Sequence, residues 1–322
     1  MTTHPALIKV TRAIPSQIQI DNTTVEILGD DPAPRDALLR FVPGAHALVT
    51  MYSDKVDNEL LDTIGPQLKV VSNFAVGYDN IDLDACKTRG IAVTNTPDAV
   101  TEGTANIAFL LILGCARRII EADRYTRSER YPQGGPLGMA DFLGIDLCNK
   151  ELLIVGAGRI GYATALRAKA FGMRIAYVAR SKHIDFEMAP LGARRVTLDE
   201  GLQSADVVSI HTPLSDSTRH LINDERLRLM KPDAILVNTA RGPVVDESAL
   251  VQALQEERLW GAGLDVFEHE PKVHQGLIDS DRVVLTPHIG SAEIRWREAM
   301  TEMVQENIRA VLEGNQPPNR IA

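Results

Sequence analysis

The sequence predicts an α/β protein of two doubly wound parallel-sheet domains, and three observations carry that reading. Short β-branched runs alternate with helix-period segments from near the N-terminus, the pattern of a parallel sheet with helices on its faces. The alternation is interrupted once, by a long apolar helix and a stretch rich in Gly and Pro, and then restarts with stronger strands. At 322 residues, 44% of them hydrophobic, the chain exceeds one average domain and can bury a sizeable core.

In the first segment "LIKVTR", "TVEIL", "HALVT", "KVVSN" and "IAVTN" read as strands, with "DALLRFV", "NELLDTI" and "DLDACKTRG" as helices between them. One long helix is expected from about Thr101 through "GTANIAFLLILGCARRIIEADRYTRS". It is apolar nearly all round as far as Cys115, so its first half is expected to be buried, and it is also a candidate subunit-interface element. "YPQGGPLGMADFLGIDL" reads as an exposed loop.

Seven further strands follow: "LLIV", "RIAYV", "RRVT", "DVVSI", "AILVN", "GAGLDV" and "RVVLTP", with helices such as 159–171 and 248–257 between them. Seven strands in this segment fit a doubly wound dinucleotide-binding sheet. A final amphipathic helix, roughly 291–312, precedes Gly314 and a Pro-rich tail. If it completes the first sheet, the substrate domain is discontinuous, 1–100 with 291–322, and the dinucleotide-binding domain is 101–290.

Composition narrows the function. A formal charge of −9 argues against nucleic acid or an anionic membrane as the main partner, whereas a local cationic pocket can still capture a small anion. Cys86, Cys115 and Cys148 show no metal or redox spacing and are expected to be reduced and structural. The opening "MTTHPALIKV" lacks the features of a signal peptide, and no apolar stretch is long enough to span a bilayer. A cytoplasmic location is expected. His269 and His274 are the nearest histidine pair but have no third ligand, so no metal site is expected.

Gly156, Gly158 and Gly161 form GxGxxG directly after the strand "LLIV" and open an Ala-rich helix through Arg159 and Ile160. The first glycine suits a tight turn, the second lets backbone approach a pyrophosphate, and the third permits close helix–strand packing. N–H donors at the helix start then face the phosphates. About twenty residues on, a carboxylate normally binds the ribose hydroxyls of NAD; this chain instead has "ARSK", Ala179 to Lys182. Removing the acid removes repulsion of a 2′-phosphate. Arg180 can fork onto phosphate oxygens, and Ser181 and Lys182 can add a hydroxyl and a mobile charge. NADP(H) is therefore the expected cofactor, with NAD(H) the alternative.

Three later segments, "LVNTARGPVVD", "GAGLDVFEHEP" and "VVLTPHIGSA", are longer and more specific than a generic nucleotide fold requires. With "NFAVGYDNIDLDAC" and "VTNTPDAVTEGTANIAF" upstream, the chain resembles the D-isomer-specific 2-hydroxyacid dehydrogenases over essentially its whole length, most of all the glyoxylate/hydroxypyruvate reductases. The resemblance implies a flavodoxin-like substrate domain and a Rossmann cofactor domain with a cleft between them, usually assembled as homodimers. It places the catalytic arginine at Arg241, the acid at Glu270 and the histidine at His288.

Reduction of a 2-oxo acid needs a cation for the carboxylate and a proton donor for the developing alkoxide. Arg241 suits the first task and His288 the second. Glu270 is expected to hold the ring and favour its charged form. By the same resemblance, backbone N–H groups of Ala75, Val76 and Gly77 hold the substrate carboxylate in a nest that uses glycine's freedom. Asp79, Asn80 and Asp82 are read as turn and helix-cap residues. Thr104, Thr212, Pro213, Thr239 and Asp265 match positions near the nicotinamide half, where Asp265 accepts from the carboxamide or caps a strand end.

Rival readings are a 2-oxogluconate-type sugar-acid reductase, whose motifs would look nearly the same, and a non-catalytic corepressor or nucleotide sensor. An intact Arg241, Glu270 and His288 set argues against the sensor. A phosphoglycerate dehydrogenase of the longer kind is expected to continue into a regulatory domain beyond the final helix.

Overall fold

The computed structural model describes residues 5–29 and 31–322, so the sequence reading of "MTTH" lies outside the described residues. The chain divides into two compact units, Met1–Val100 with Ser291–Ala322, and Thr101–Gly290.

The first unit runs β1 (Ala6–Val10), β2 (Thr23–Ile27), α1 (Arg35–Phe41), β3 (Ala47–Thr50), α2 (Asn58–Ile64), β4 (Val70–Asn73), α3 (Leu83–Thr88) and β5 (Ala92–Thr94). Its five strands are parallel in the order β2-β1-β3-β4-β5, the flavodoxin-like winding. Short acids start α2 and α3: Asp57 accepts from the Leu60 N–H and Asp82 from the Ala85 N–H. Asn80 reaches back to the carbonyls of Met51 and Asp54, so its side chain ties the loop after β3 to its own segment instead of closing a local turn.

The second unit begins with α4 (Thr101–Ala116), α5 (Ile119–Arg127) and α6 (Arg130–Gly134). It continues through β6 (Glu151–Val155), α7 (Arg159–Ala170), β7 (Arg174–Val178), α8 (Ile184–Glu187), β8 (Arg194–Arg195), α9 (Leu198–Ser204) and β9 (Val207–Ile210). Then come α10 (Asp224–Leu227), β10 (Ile235–Asn238), a 3-10 turn at Gly242–Val244, α11 (Glu247–Gln255), β11 (Gly261–Leu264), α12 (Gln275–Ile278) and β12 (Val283–Leu285). All seven strands are parallel, in the order β12-β11-β10-β9-β6-β7-β8. Both faces are covered: along β6, Leu153 and Val155 enter one core cluster while Leu152 and Ile154 enter the other.

The single long helix expected from Thr101 is instead two helices bent by 66°. Arg118 takes a left-handed conformation (φ 53°), and its guanidinium is clasped by Glu121. The carbonyl of Ala116, which a continuous helix would give to its own next turn, accepts from the Ile145 N–H at 2.9 Å. Gly144 presses on that carbonyl so closely that a Cβ would lie 2.3 Å from the oxygen. Tertiary packing thus takes the bond that would continue the helix. Upstream of the break α4 packs on its own sheet, with Leu111 directly against Gly263 of β11. The segment read as an exposed loop is largely exposed, but its first four residues, Tyr131 to Gly134, form most of the short helix α6.

The last helix, α13 (Ile294–Leu312), buries Met300, Val304 and Ile308 in the first unit and packs on β4 and β5. The tail then returns along β5, where the Ile321 N–H donates to the Val93 carbonyl and the Val93 N–H to the carbonyl of Ala322. That pairing covers an edge strand. Cys86 and Cys115 are buried free thiols that burial pushes up to about 11 and about 12, so they stay protonated and inert; Cys148 is exposed. No single helix among the described residues is long and apolar enough to cross a membrane.

Candidate active site

The three glycines of the turn after β6 meet three different surroundings. Gly156 has φ +108°, and a Cβ there would lie 2.8 Å from the backbone of His211. At Gly161 a Cβ would sit 2.4 Å from the Gly156 carbonyl and 2.8 Å from Ile154. Gly158, the N-cap of α7, has ordinary extended backbone and nothing within 4 Å of its would-be Cβ. Two of the glycines are therefore required by the protein itself, and the one between them faces open space at a helix start, beside the exposed Arg159.

Beyond β7, Arg180, Ser181 and Lys182 are all exposed. Lys182 is not a loose charge: its Nζ lies 2.8 Å from Glu187, whose other oxygen accepts from the Tyr177 hydroxyl. Arg195, on the neighbouring strand β8, donates from Nη2 to the carbonyls of Ala179 and Arg180, both at 2.9 Å. It occupies two backbone carbonyls of the loop and adds a second arginine beside it. The sequence reading missed it because the contact depends on β8 pairing beside β7, with Tyr177 opposite Arg195.

The remaining expected residues gather where the parallel strands end. Thr212 and Pro213 follow β9, Thr239 and Arg241 follow β10, Asp265 follows β11, and His288 follows β12. In an open parallel sheet this carboxyl edge is where ligands bind. The hydroxyls of Thr212 and Thr239 are buried with no hydrogen-bond partner among the described residues. Buried polar groups are nearly always paired, so two such hydroxyls at the carboxyl edge, Thr212 next to the Gly156 turn, fit a polar ligand.

His288 itself has φ 55°, a left-handed conformation uncommon for a side chain of this size. Its Nδ1 lies 2.9 Å from Glu270 Oε2, and both side chains are about a fifth exposed (21% and 24%), shielded yet reachable. The other Glu270 oxygen accepts from the Phe267 N–H at 3.0 Å, so the carboxylate cannot rotate freely. Arg241 is half-buried, with Nη1 on the Ala240 carbonyl and its own carbonyl held by Asn238. The turn after it is locked to the loop bearing Glu270, because a Cβ on Gly242 would lie 1.9 Å from the Phe267 backbone.

Of the two roles expected for Asp265, the structure displays the local cap. Its Oδ1 accepts from the Thr286 hydroxyl at 2.6 Å and the Ile289 N–H at 2.9 Å, and its Oδ2 accepts from the Gly290 N–H at 2.9 Å. Three of about four acceptor positions are used on the turn that carries His288, leaving one on Oδ2. Burial raises its pKa against the pull of those three donors and of His288. Thr104 belongs to the same group, since a Cβ on Gly290 would lie 3.1 Å from its hydroxyl and 3.2 Å from Asp265.

In the other unit, Ala75, Val76 and Gly77 form the loop after β4. Their carbonyls are taken by Thr96 N–H, Asn95 and Asn73 respectively, while their own N–H groups have no partner among the described residues. The expected glycine freedom is not used, because Gly77 is not among the positive-φ glycines; pinned carbonyls aim this loop. Phe74, just before it, lies under the guanidinium of Arg297 at 5.8 Å. Burial lowers the Arg297 pKa, with Tyr52 acting the other way. This cation escaped the sequence reading because α13 is more than two hundred residues downstream.

Residues 109–290 match the family model described as "D-isomer specific 2-hydroxyacid dehydrogenase, NAD binding domain". A glyoxylate reductase of Thermococcus onnurineus is 48% identical over 97% of this chain and 94% of its own length. The TT0316 protein of Thermus thermophilus superposes with a TM-score of 0.91 at 43% identity, over 98% of this chain and 100% of that one. An NADPH-dependent glyoxylate/hydroxypyruvate reductase of Sinorhizobium meliloti, solved with NADP and malonate, gives 0.85 at 32% identity over 99% and 97%. With the glycine turn, the two parallel sheets and the strand-end residues already described, these likenesses establish that the chain belongs to the D-isomer-specific 2-hydroxyacid dehydrogenases, a family of oxidoreductases.

Proposed function

We propose that this enzyme reduces a small 2-oxo acid, glyoxylate or hydroxypyruvate, to the corresponding 2-hydroxy acid with NADPH, the D-isomer where the product is chiral, and that His288 donates the proton. The observation that carries the proposal is the 2.9 Å contact between His288 and Glu270 at the carboxyl edge of the dinucleotide sheet. The names of the relatives support the substrate class, and the S. meliloti reductase supports the cofactor.

In this reading Gly156, Gly158 and the start of α7 hold the pyrophosphate, Thr212, Pro213, Thr239 and Thr104 line the nicotinamide half, and Arg180, Ser181 and Arg195 meet the 2′-phosphate. The bound cofactor supplies the hydride. Arg241 grips the substrate carboxylate and polarises the carbonyl. As charge develops on the carbonyl oxygen, the His288 Nε2 proton moves to it, and the Glu270 carboxylate on Nδ1 keeps the ring aimed. In the oxidative direction the same nitrogen takes the proton back. A homodimer belongs to the same proposal, and sedimentation velocity checks it.

Initial rates with glyoxylate, hydroxypyruvate and 2-oxogluconate, each with NADPH and NADH, test the proposal. It expects fast NADPH oxidation with little from NADH. Preference for NADH discards the 2′-phosphate site and keeps the reductase. Turnover of 2-oxogluconate alone favours the sugar-acid reading, and tight NADPH binding without turnover favours the sensor.

A further inference from the structure

The loop that carries Glu270 is held at both ends by one carboxylate that the reaction itself does not require. Glu247, the first residue of α11, is 8% exposed. Its Oε2 accepts from the Glu268 N–H at 2.9 Å and its Oε1 from the His274 N–H at 3.1 Å. Those two N–H groups flank Glu270 on either side. Glu268 returns the contact, its Oε2 accepting from the Glu247 N–H at 3.3 Å while its Oε1 lies 2.6 Å from His220 Nε2. His220 also faces Asp246 at 4.0 Å, and its own N–H donates to the Pro243 carbonyl in the turn after Arg241.

A carboxylate in the first turn of a helix ordinarily faces water and serves the helix dipole. Glu247 does not serve as the cap of α11, because Asp246 already does so through the Ala249 N–H at 3.0 Å. Its buried oxygens are spent on the loop. Within that loop the Lys272 N–H closes on the His269 carbonyl, and Glu270 is tied to the Phe267 N–H. Fixing the two ends therefore fixes where Glu270 stands relative to His288.

We propose that Glu247 is a positioning residue for proton transfer, its paired oxygens setting the loop that presents Glu270 to His288. The proposal rests on reading His288 and Glu270 as the proton-transfer pair. A glutamine at 247 keeps one acceptor oxygen and turns an NH2 toward the other backbone donor, which frees one end of the loop.

The test is a double-mutant cycle on kcat and KM for glyoxylate with NADPH, using E247Q, E270Q and E247Q/E270Q. E247Q is expected to lower kcat about tenfold or more, since small misplacement of a catalytic group is costly, with KM changed less than about twofold. If Glu247 acts through Glu270, E247Q adds nothing in the E270Q background. Losses that multiply in the double variant, or a single E247Q variant with full kcat, overturn the proposal. An E270Q variant with full kcat overturns the underlying reading and the proposal with it. Should E247Q fail to fold, E268A removes the reciprocal half of the brace and is expected to show the same non-additivity with E270Q; multiplying losses there count against the proposal equally.

Discussion

Substituting alanine separately at Gly158 and Gly161 should divide cofactor binding from folding. At Gly161 the new Cβ meets a backbone oxygen at 2.4 Å and a side-chain carbon at 2.8 Å. Neither the turn nor β6 can retreat without repacking, and overpacking of this kind costs about 1–3 kcal/mol. For a domain of roughly this size that lowers Tm by about 2–4 °C per kcal/mol. At Gly158 the new Cβ meets nothing within 4 Å and the backbone is extended, so the fold loses little. Replacing a glycine N-cap by alanine costs up to about 1 kcal/mol, and the reduced freedom of the unfolded chain returns about 0.4–1 kcal/mol. Tm should stay within about 2 °C of the parent. The same methyl, however, stands where the cofactor phosphates must approach the backbone, and NADPH affinity should fall on the order of a hundredfold. Thermal unfolding without cofactor and fluorescence titration with NADPH measure the two quantities separately. A G158A variant that binds NADPH like the parent, or that unfolds as early as G161A, would refute the assignment of the open space at Gly158 to a ligand.

Other expectations follow from the same geometry. E270Q removes a charge-assisted contact to His288 worth about 1.5–3 kcal/mol, so kcat should fall roughly 10- to 100-fold with little change in KM; equal losses in both would point to a binding role. R195Q should raise KM for NADPH while leaving KM for NADH unchanged, and a parallel rise for both would mean that Arg195 only supports the loop. Burial alone would raise the pKa of Asp206, but the Glu151 N–H, Lys231 and Lys150 outweigh it and hold the pKa below the ordinary 3.8. A depressed native value means that this stabilisation is complete above the unfolded value and is lost as pH falls through the native one. The parent should therefore lose stability below about pH 4 more steeply than D206N, and parallel acid-unfolding curves would remove Asp206 from the account.

The sequence made legible what depends on local order. Most strands of both sheets lie on β-branched runs, although β11 is Gly-Ala-Gly-Leu and β8 only Arg-Arg, and the glycines, Arg241, Glu270 and His288 stand in long contiguous motifs. What it hid depends on partners distant along the chain. Arg195 reaches Ala179 and Arg180 only because β8 pairs with β7, and Arg297 meets Phe74 only because α13 folds back onto the first sheet. The break at Arg118 is invisible locally, since the residues on both sides favour helix and the carbonyl of Ala116 is claimed by Ile145. Glu247 looks like an ordinary first-turn acid until the loop it holds is seen. Lys182 shows the converse: the sequence offered a mobile cation, and Glu187, five residues on, engages it.

The most direct test of the central claim is the H288A variant, measured side by side with the parent for NADPH binding and for glyoxylate reduction. The account predicts unchanged NADPH affinity with reduction lost by about 100- to 10,000-fold, the range expected for removing a general acid. Reduction within a few-fold of the parent would contradict it, because the proton would then come from elsewhere and the contact between His288 and Glu270 would be structural.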